Sequence, residues 1–199
     1  MSTVCVLIDY QNIHLTGHGQ FVPKGTPKHE SLLLPQSFAR QILDVRRNFV
    51  PPELADPELL SVRTFRGQPG NRKEPKSYSR SQAQTSNWTR DSRVSVHSRP
   101  LRYPWDWPNT PAQEKGIDVM LAIDLVQLAS TRAYDILILA SHDTDLEPAI
   151  AAAETLGMAR VETAGWKGCK RLRGGQSGRW HTFLDGAAFV RSRDRTPYA

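Results

Sequence analysis

Cysteine is nearly absent from this sequence: Cys5 and Cys169 are the only two in 199 residues. Cys5 sits in an apolar run and Cys169 in a basic stretch, so no disulfide framework is expected and a cytoplasmic setting fits. Long apolar runs are missing too. None nears the roughly 18 residues that a membrane span needs. The N-terminus has neither a charged segment nor a long hydrophobic one, so no signal peptide is expected. Acids are outnumbered, with 20 Asp+Glu against 26 Lys+Arg, a formal charge of +6 and a pI near 9.6. Hydrophobic residues make up 39% of the chain, enough for a core, which argues against disorder. No internal repeat is visible. At this length one domain over residues 1–199 is expected.

The charge is unevenly spread. Residues 66–113 hold nine basic residues and three acids (Glu74, Asp91, Asp106), which accounts for the whole excess. Residues 114–162 hold nine acids against Lys115, Arg132 and Arg160, a local −6. A carboxylate site that serves a polyanion would have this arrangement; a plain solvated basic face would also produce the excess.

Two runs, VCVLI (4–8) and YDILILAS (134–141), are apolar without alternation and read as strands buried on both faces of a parallel sheet. Further strands are expected at 59–65, 93–99 and 159–165. Helices are expected at 35–49, at about 75–90, at 116–130 and at 145–156, the last ended by Gly157. Residues 17–31 and 103–111, rich in Gly, Pro, His or Trp, read as loops. The tail holds a Gly-rich basic loop (165–180) and an apolar patch at Phe183, Leu184 and Phe189. Alternating strands and helices indicate an α/β fold with a mainly parallel sheet. Ligands of such sheets gather beyond the carboxyl ends of the strands.

Acids stand at those ends. Asp9 follows the first run, Asp143 and Asp145 follow the second, and Asp118 opens the 116–130 helix. Brought together they repel, and a hard divalent cation relieves the repulsion; oxygen-only ligands suit Mg²⁺ or Mn²⁺. Each acid also has an ordinary role. Asp9 can cap a turn, Asp118 sits where a helix macrodipole favours an acid, and Thr144 with Glu147 fits a capping box in which Asp145 is a first-turn acid. Asp124, inside the apolar helix, either faces the site from behind the ligands or pairs with an arginine.

IDYQN (8–12), EKGIDVMLAIDL (114–125) and ASHDTDLEPAI (140–150) resemble, in order and spacing, the three motifs of bacterial NYN domains, which are PIN-like nucleases. The likeness spans about residues 3–165. It implies a three-layer α/β/α PIN-like fold and a metal-dependent ribonuclease. By resemblance Asp9, Asp118, Asp143 and Asp145 are catalytic, metal-binding carboxylates. Asn12 orients a ligand or Asp9, Lys115 meets a phosphate, and Ser141, His142 and Thr144 line the substrate. His142 stands where the family has Gly, and Leu146 where it has Phe. Histidine is among the residues that tolerate positive φ. It is read either as a proton donor or as a residue that blocks the site.

The basic segment 66–113 is read as an insertion that holds RNA through residues such as Lys76 and Arg80. Lys170 and Arg171 of the tail loop are assigned the same role. Tyr78, Trp88, Tyr103, Trp105 and Trp107 serve as stacking platforms for bases or as anchors in the core. The expected partner is RNA, single-stranded or structured, with no membrane; a homodimer is left open. Two alternatives are kept: a PIN-like RNA-binding or regulatory protein without catalysis, and an Asp-x-Asp phosphatase, whose motif normally follows the first strand.

Overall fold

A computed structural model describes residues 2–173, 175 and 178–198. Its strands are β1 (Thr3–Asp9), β2 (Glu58–Gln68), β3 (Val94–Pro100), β4 (Ile136–Ala140), β5 (Arg160–Trp166) and β6 (His181–Leu184). The helices are α1 (Tyr10–Phe21), α2 (Pro35–Arg46), α3 (Pro52–Ala55), α4 (Pro75–Trp88), α5 (Ile117–Thr131), α6 (Glu147–Leu156) and α7 (Gly186–Ser192). All strand pairs are parallel, in the order β3-β2-β1-β4-β5-β6.

Alternation along the central strands builds two cores. Val4, Val6 and Ile8 of β1, with Ile136 and Ile138 of β4, pack against Ile13, Phe38, Ile42 and Phe189. Cys5, Leu7, Leu137 and Leu139 point the other way and meet Leu121, Leu125, Leu146 and Ile150. Helices α1, α2 and α7 and the end of α4 therefore cover one face, and α5 and α6 the other. This is the expected three-layer α/β/α arrangement. One polar tie crosses the first layer. Arg46 of α2 donates through Nε and Nη2 to Glu162 of β5, at 2.6 and 2.9 Å, with both side chains fully buried.

The chain lays down β2 and β3 on one side of β1, and β5 and β6 on the far side of β4. The carboxyl ends of β1 and β4 thus lie side by side at the point where the winding reverses, which is where ligands of such sheets bind.

Three expectations are corrected. The stretch from residue 17, expected as loop, remains helical to Phe21, because Asp9 caps α1 and Tyr10, Ile13, His14 and Gly17 are buried. The tail is not merely a loop and a patch: it supplies β6, paired to β5, and α7, capped by Asp185. Within the 165–180 loop, Gly174, Gln176 and Ser177 lie outside the described residues. Residues 66–113 are not an insertion, since they form the end of β2, α4 and β3, which continue the sheet.

Candidate metal centre

Asp9 ends β1 and caps α1. Its Oδ1 accepts the Asn12 backbone N–H at 3.4 Å, and its Oδ2 accepts the Ser141 hydroxyl at 2.7 Å. Ser141, just past β4, in turn accepts the Asp143 N–H on Oγ at 3.0 Å. One hydroxyl therefore joins the residues that end the two central strands. Asp118 lies in the first turn of α5, which starts after Gly116 in a left-handed conformation (φ 76°). Carboxylate oxygens of Asp9, Asp118 and Asp143 all lie within 4.8 Å of one another.

These three charges are not neutralised by the protein: none pairs with a Lys or Arg among the described residues. Burial, opposed by the Ser141 hydrogen bond and reinforced by the Asp118 charge, pushes Asp9 up to about 7. Asp118 is raised by burial and then by Asp143 and Asp145. An all-oxygen cradle of uncompensated anions has the donor chemistry of a hard divalent cation, and the residues fit that group.

Asp145 stands outside the trio. It is exposed, and its N–H donates to Asp143 Oδ1 at 2.9 Å, which makes Asp143 the cap of the turn at Thr144–Leu146. The capping box expected for Thr144 is therefore not formed, and Glu147 instead accepts the Arg173 N–H at 2.8 Å. Asp124 takes no place behind the ligands. It forms an ion pair with Arg63 of β2, six residues along α5 from Asp118.

Asn12 orients Asp9 only through its backbone; its side chain accepts the His142 N–H at 2.9 Å and ties α1 to the turn after β4. The His142 ring is engaged at both nitrogens by backbone groups. Its Nε2 accepts the Trp166 N–H at 3.1 Å, so Nδ1 holds the proton and donates to the Lys170 carbonyl at 3.1 Å. Burial pushes the ring below its usual range, against the hydrogen bond to the Lys170 carbonyl. The ring lies against Gly165, where any Cβ would collide with it. Positive φ is also not required at 142, since Arg132 is the sole non-glycine with positive φ among the described residues.

Lys115 is exposed beside the trio's helix, and Lys76 is exposed at the start of α4. Lys170 meets the turn through its backbone, while Arg171 donates to the Arg179 carbonyl and Arg80 lines a separate cavity. Of the aromatics, Trp88 is core, Tyr103 binds Glu74 through its hydroxyl at 2.6 Å, and Trp105 is 98% exposed.

One acid was missed. Glu114 accepts the Gly67 N–H; its charge adds to the rise at Asp9, and its own carboxyl is raised first by burial and then by the Asp118 charge, against the Gly67 hydrogen bond. A Cβ at position 67 would run into the Leu101 and Glu114 side chains, which would have to shift to admit it. The signal was its place at the head of EKGID, four residues before Asp118.

Fold and site together define an α/β protein with a carboxylate trio at the switch point of a parallel sheet. The NYN domain model matches residues 3–171, and the chain belongs to the NYN domain family. NYN domains are nuclease-like, PIN-related and linked to RNA. No curated protein matches the chain. A crystal structure of a protein of unknown function from Vibrio parahaemolyticus has the same fold, with a TM-score of 0.53, 16% identity and 85% of each chain covered. No helix among the described residues is long and apolar enough to cross a membrane.

Proposed function

We propose that this protein is a metal-dependent ribonuclease that hydrolyses RNA phosphodiester bonds internally, in the cytoplasm. The observation that carries the reading is the trio Asp9, Asp118 and Asp143, gathered within 4.8 Å at the sheet's switch point and without a cationic partner among the described residues. These three would hold Mg²⁺ or Mn²⁺, with Asp145 as an outer carboxylate. When bound, such an ion activates a water for attack on phosphorus and offsets phosphate charge. Ser141 fixes Asp9 relative to Asp143, and Asn12 and His142 brace the turn that carries Asp143. Lys115, Lys76 and Lys170 supply positive charge to the strand. His142 acts through backbone contacts and not on substrate.

The alternative without catalysis rested on His142 as an obstruction. With its ring turned to Trp166 and Lys170, that observation no longer favours it.

The test incubates pure protein with single-stranded and structured RNAs, with and without Mg²⁺ or Mn²⁺, beside the Asp143→Asn variant. Cleavage is expected only with the ion and only in the wild type, with circular dichroism unchanged in the variant. Normal cutting by the variant, or intact RNA with both ions, refutes the assignment.

A further inference from the structure

A cavity of about 420 Å³ opens between α4 and the C-terminal segment, away from the carboxylates. Arg80, Arg193, Arg195 and His29 line it. The Nε atoms of Arg80 and Arg193 are both buried without a hydrogen-bond partner, and Arg80 forms no hydrogen bond or ion pair with any described residue. A buried donor left unpaired costs free energy, and grouped guanidinium groups repel one another.

The acids at the cavity do not resolve this. Asp194 is engaged by neutral donors: Trp88 Nε1 at 2.7 Å, the Tyr198 hydroxyl at 2.6 Å and the Thr196 N–H at 3.0 Å. Neither it nor Glu30 forms an ion pair with the three arginines. Arg193 donates to the backbone carbonyl of Glu30 and lies over the Phe189 ring, 5.8 Å from its centroid, and neither contact supplies a charge to balance it.

The cavity is also joined to the crevice by contacts. Gln84 on its wall accepts from Arg66 Nη1 at 2.7 Å, and Arg66 lies over Tyr10, the residue after Asp9, at 5.4 Å from the ring centroid. Planar guanidinium groups with free donors suit a tetrahedral oxyanion, which accepts several N–H bonds at once.

We infer that this cavity is a phosphate-binding site, and that it takes a backbone phosphate of the RNA strand at a distance from the carboxylate crevice. The inference rests on the ribonuclease reading for the origin of the phosphate, and on the cavity itself for the phosphate chemistry.

Two measurements test it. The first is anisotropy of a labelled single-stranded RNA in EDTA, for wild type, Arg80→Gln and Arg195→Gln. Each variant should bind about five- to tenfold more weakly at low salt. The slope of log K against log salt should shrink by about 0.7, the share of one phosphate contact on a single strand. Unchanged affinity and slope in both variants overturn the inference.

The second is thermal unfolding with inorganic phosphate. At a hundredfold excess over Kd the midpoint of wild type and of Asp143→Asn should rise by about 5–10 °C, and that of Arg80→Gln should not. An equal rise in all three overturns the site. A rise that depends on Arg80 with an unchanged RNA slope overturns the RNA assignment. Arg195 is exposed, so Arg195→Gln keeps the test decisive should Arg80→Gln fail to fold. Wild type that leaves RNA uncut while both phosphate effects hold would sink the ribonuclease reading and leave this site standing.

Discussion

Replacing Asp9 with asparagine should stabilise the metal-free protein while abolishing its response to metal. Asp9 is 3% exposed, and its carboxyl is lifted from the usual 3.8 to about 7, chiefly by burial. At 1.36 kcal/mol per pH unit, keeping it ionised costs the folded state about 4 kcal/mol. The sign follows from its being an acid with a raised pKa. The penalty is absent below 3.8, where folded and unfolded chains are both protonated, and grows until the pH passes about 7. Asparagine removes the charge and can still cap α1 through its carbonyl. Its amide must, however, face Ser141 Oγ, which already accepts the Asp143 N–H. A net gain of about 1–3 kcal/mol remains, or about 2–12 °C in midpoint for a chain of this size. The assay is thermal unfolding at pH 8 in EDTA and again with excess Mn²⁺. The variant should melt higher in EDTA, and only the wild type should rise with metal. The EDTA gap should close as the pH falls toward 4, and Mn²⁺ affinity of the wild type should strengthen as the pH rises through about 7. A variant that melts lower than wild type in EDTA at pH 8 would refute the idea that the trio is an anionic cradle held under repulsion.

Other outcomes follow from the same geometry. Arg46→Met leaves Glu162 buried with only half-exposed Arg160 as partner; a loss of about 3–5 kcal/mol is expected in chemical unfolding, most of it regained in Arg46→Met/Glu162→Met. His142→Ala strands the Trp166 N–H and the Lys170 carbonyl, and should cost about 1–3 kcal/mol of stability. It should also slow RNA cleavage without altering the shape of the pH–rate profile, because the ring moves no proton. Trp105→Ala should leave the melting midpoint unchanged and weaken single-stranded RNA binding by about 1–3 kcal/mol, measured by anisotropy.

What could be read in the sequence depended on whether its cause was local. β1 and β4 were legible because strands buried on both faces must be apolar throughout, and the placing of Asp9 and Asp143 follows from where those strands end. Asp118 was legible as a helix-start acid. Helix α1 was hidden by its Gly and His residues, since its stability comes from burial against distant aromatics. Strand β6 is four residues long and acquires its identity from pairing with β5. The Arg46–Glu162 pair spans 116 residues and the Arg63–Asp124 pair spans 61, and no spacing rule joins partners that far apart. Glu114 was overlooked for a related reason: only the fold brings Gly67 near enough to draw it inward.

The contact between His142 and Gly165 ties two positions into one evolutionary unit. A side chain larger than hydrogen at 165 collides with the imidazole, so position 165 is closed to change while histidine stands at 142. Placing glycine at 142 would open position 165, but would first strand two backbone groups. Either order of substitution passes through a less fit intermediate, whereas the pair changed together need not. Lineages that carry this histidine are therefore expected to keep the glycine, and covariation between the two columns would mark the branch on which this brace arose.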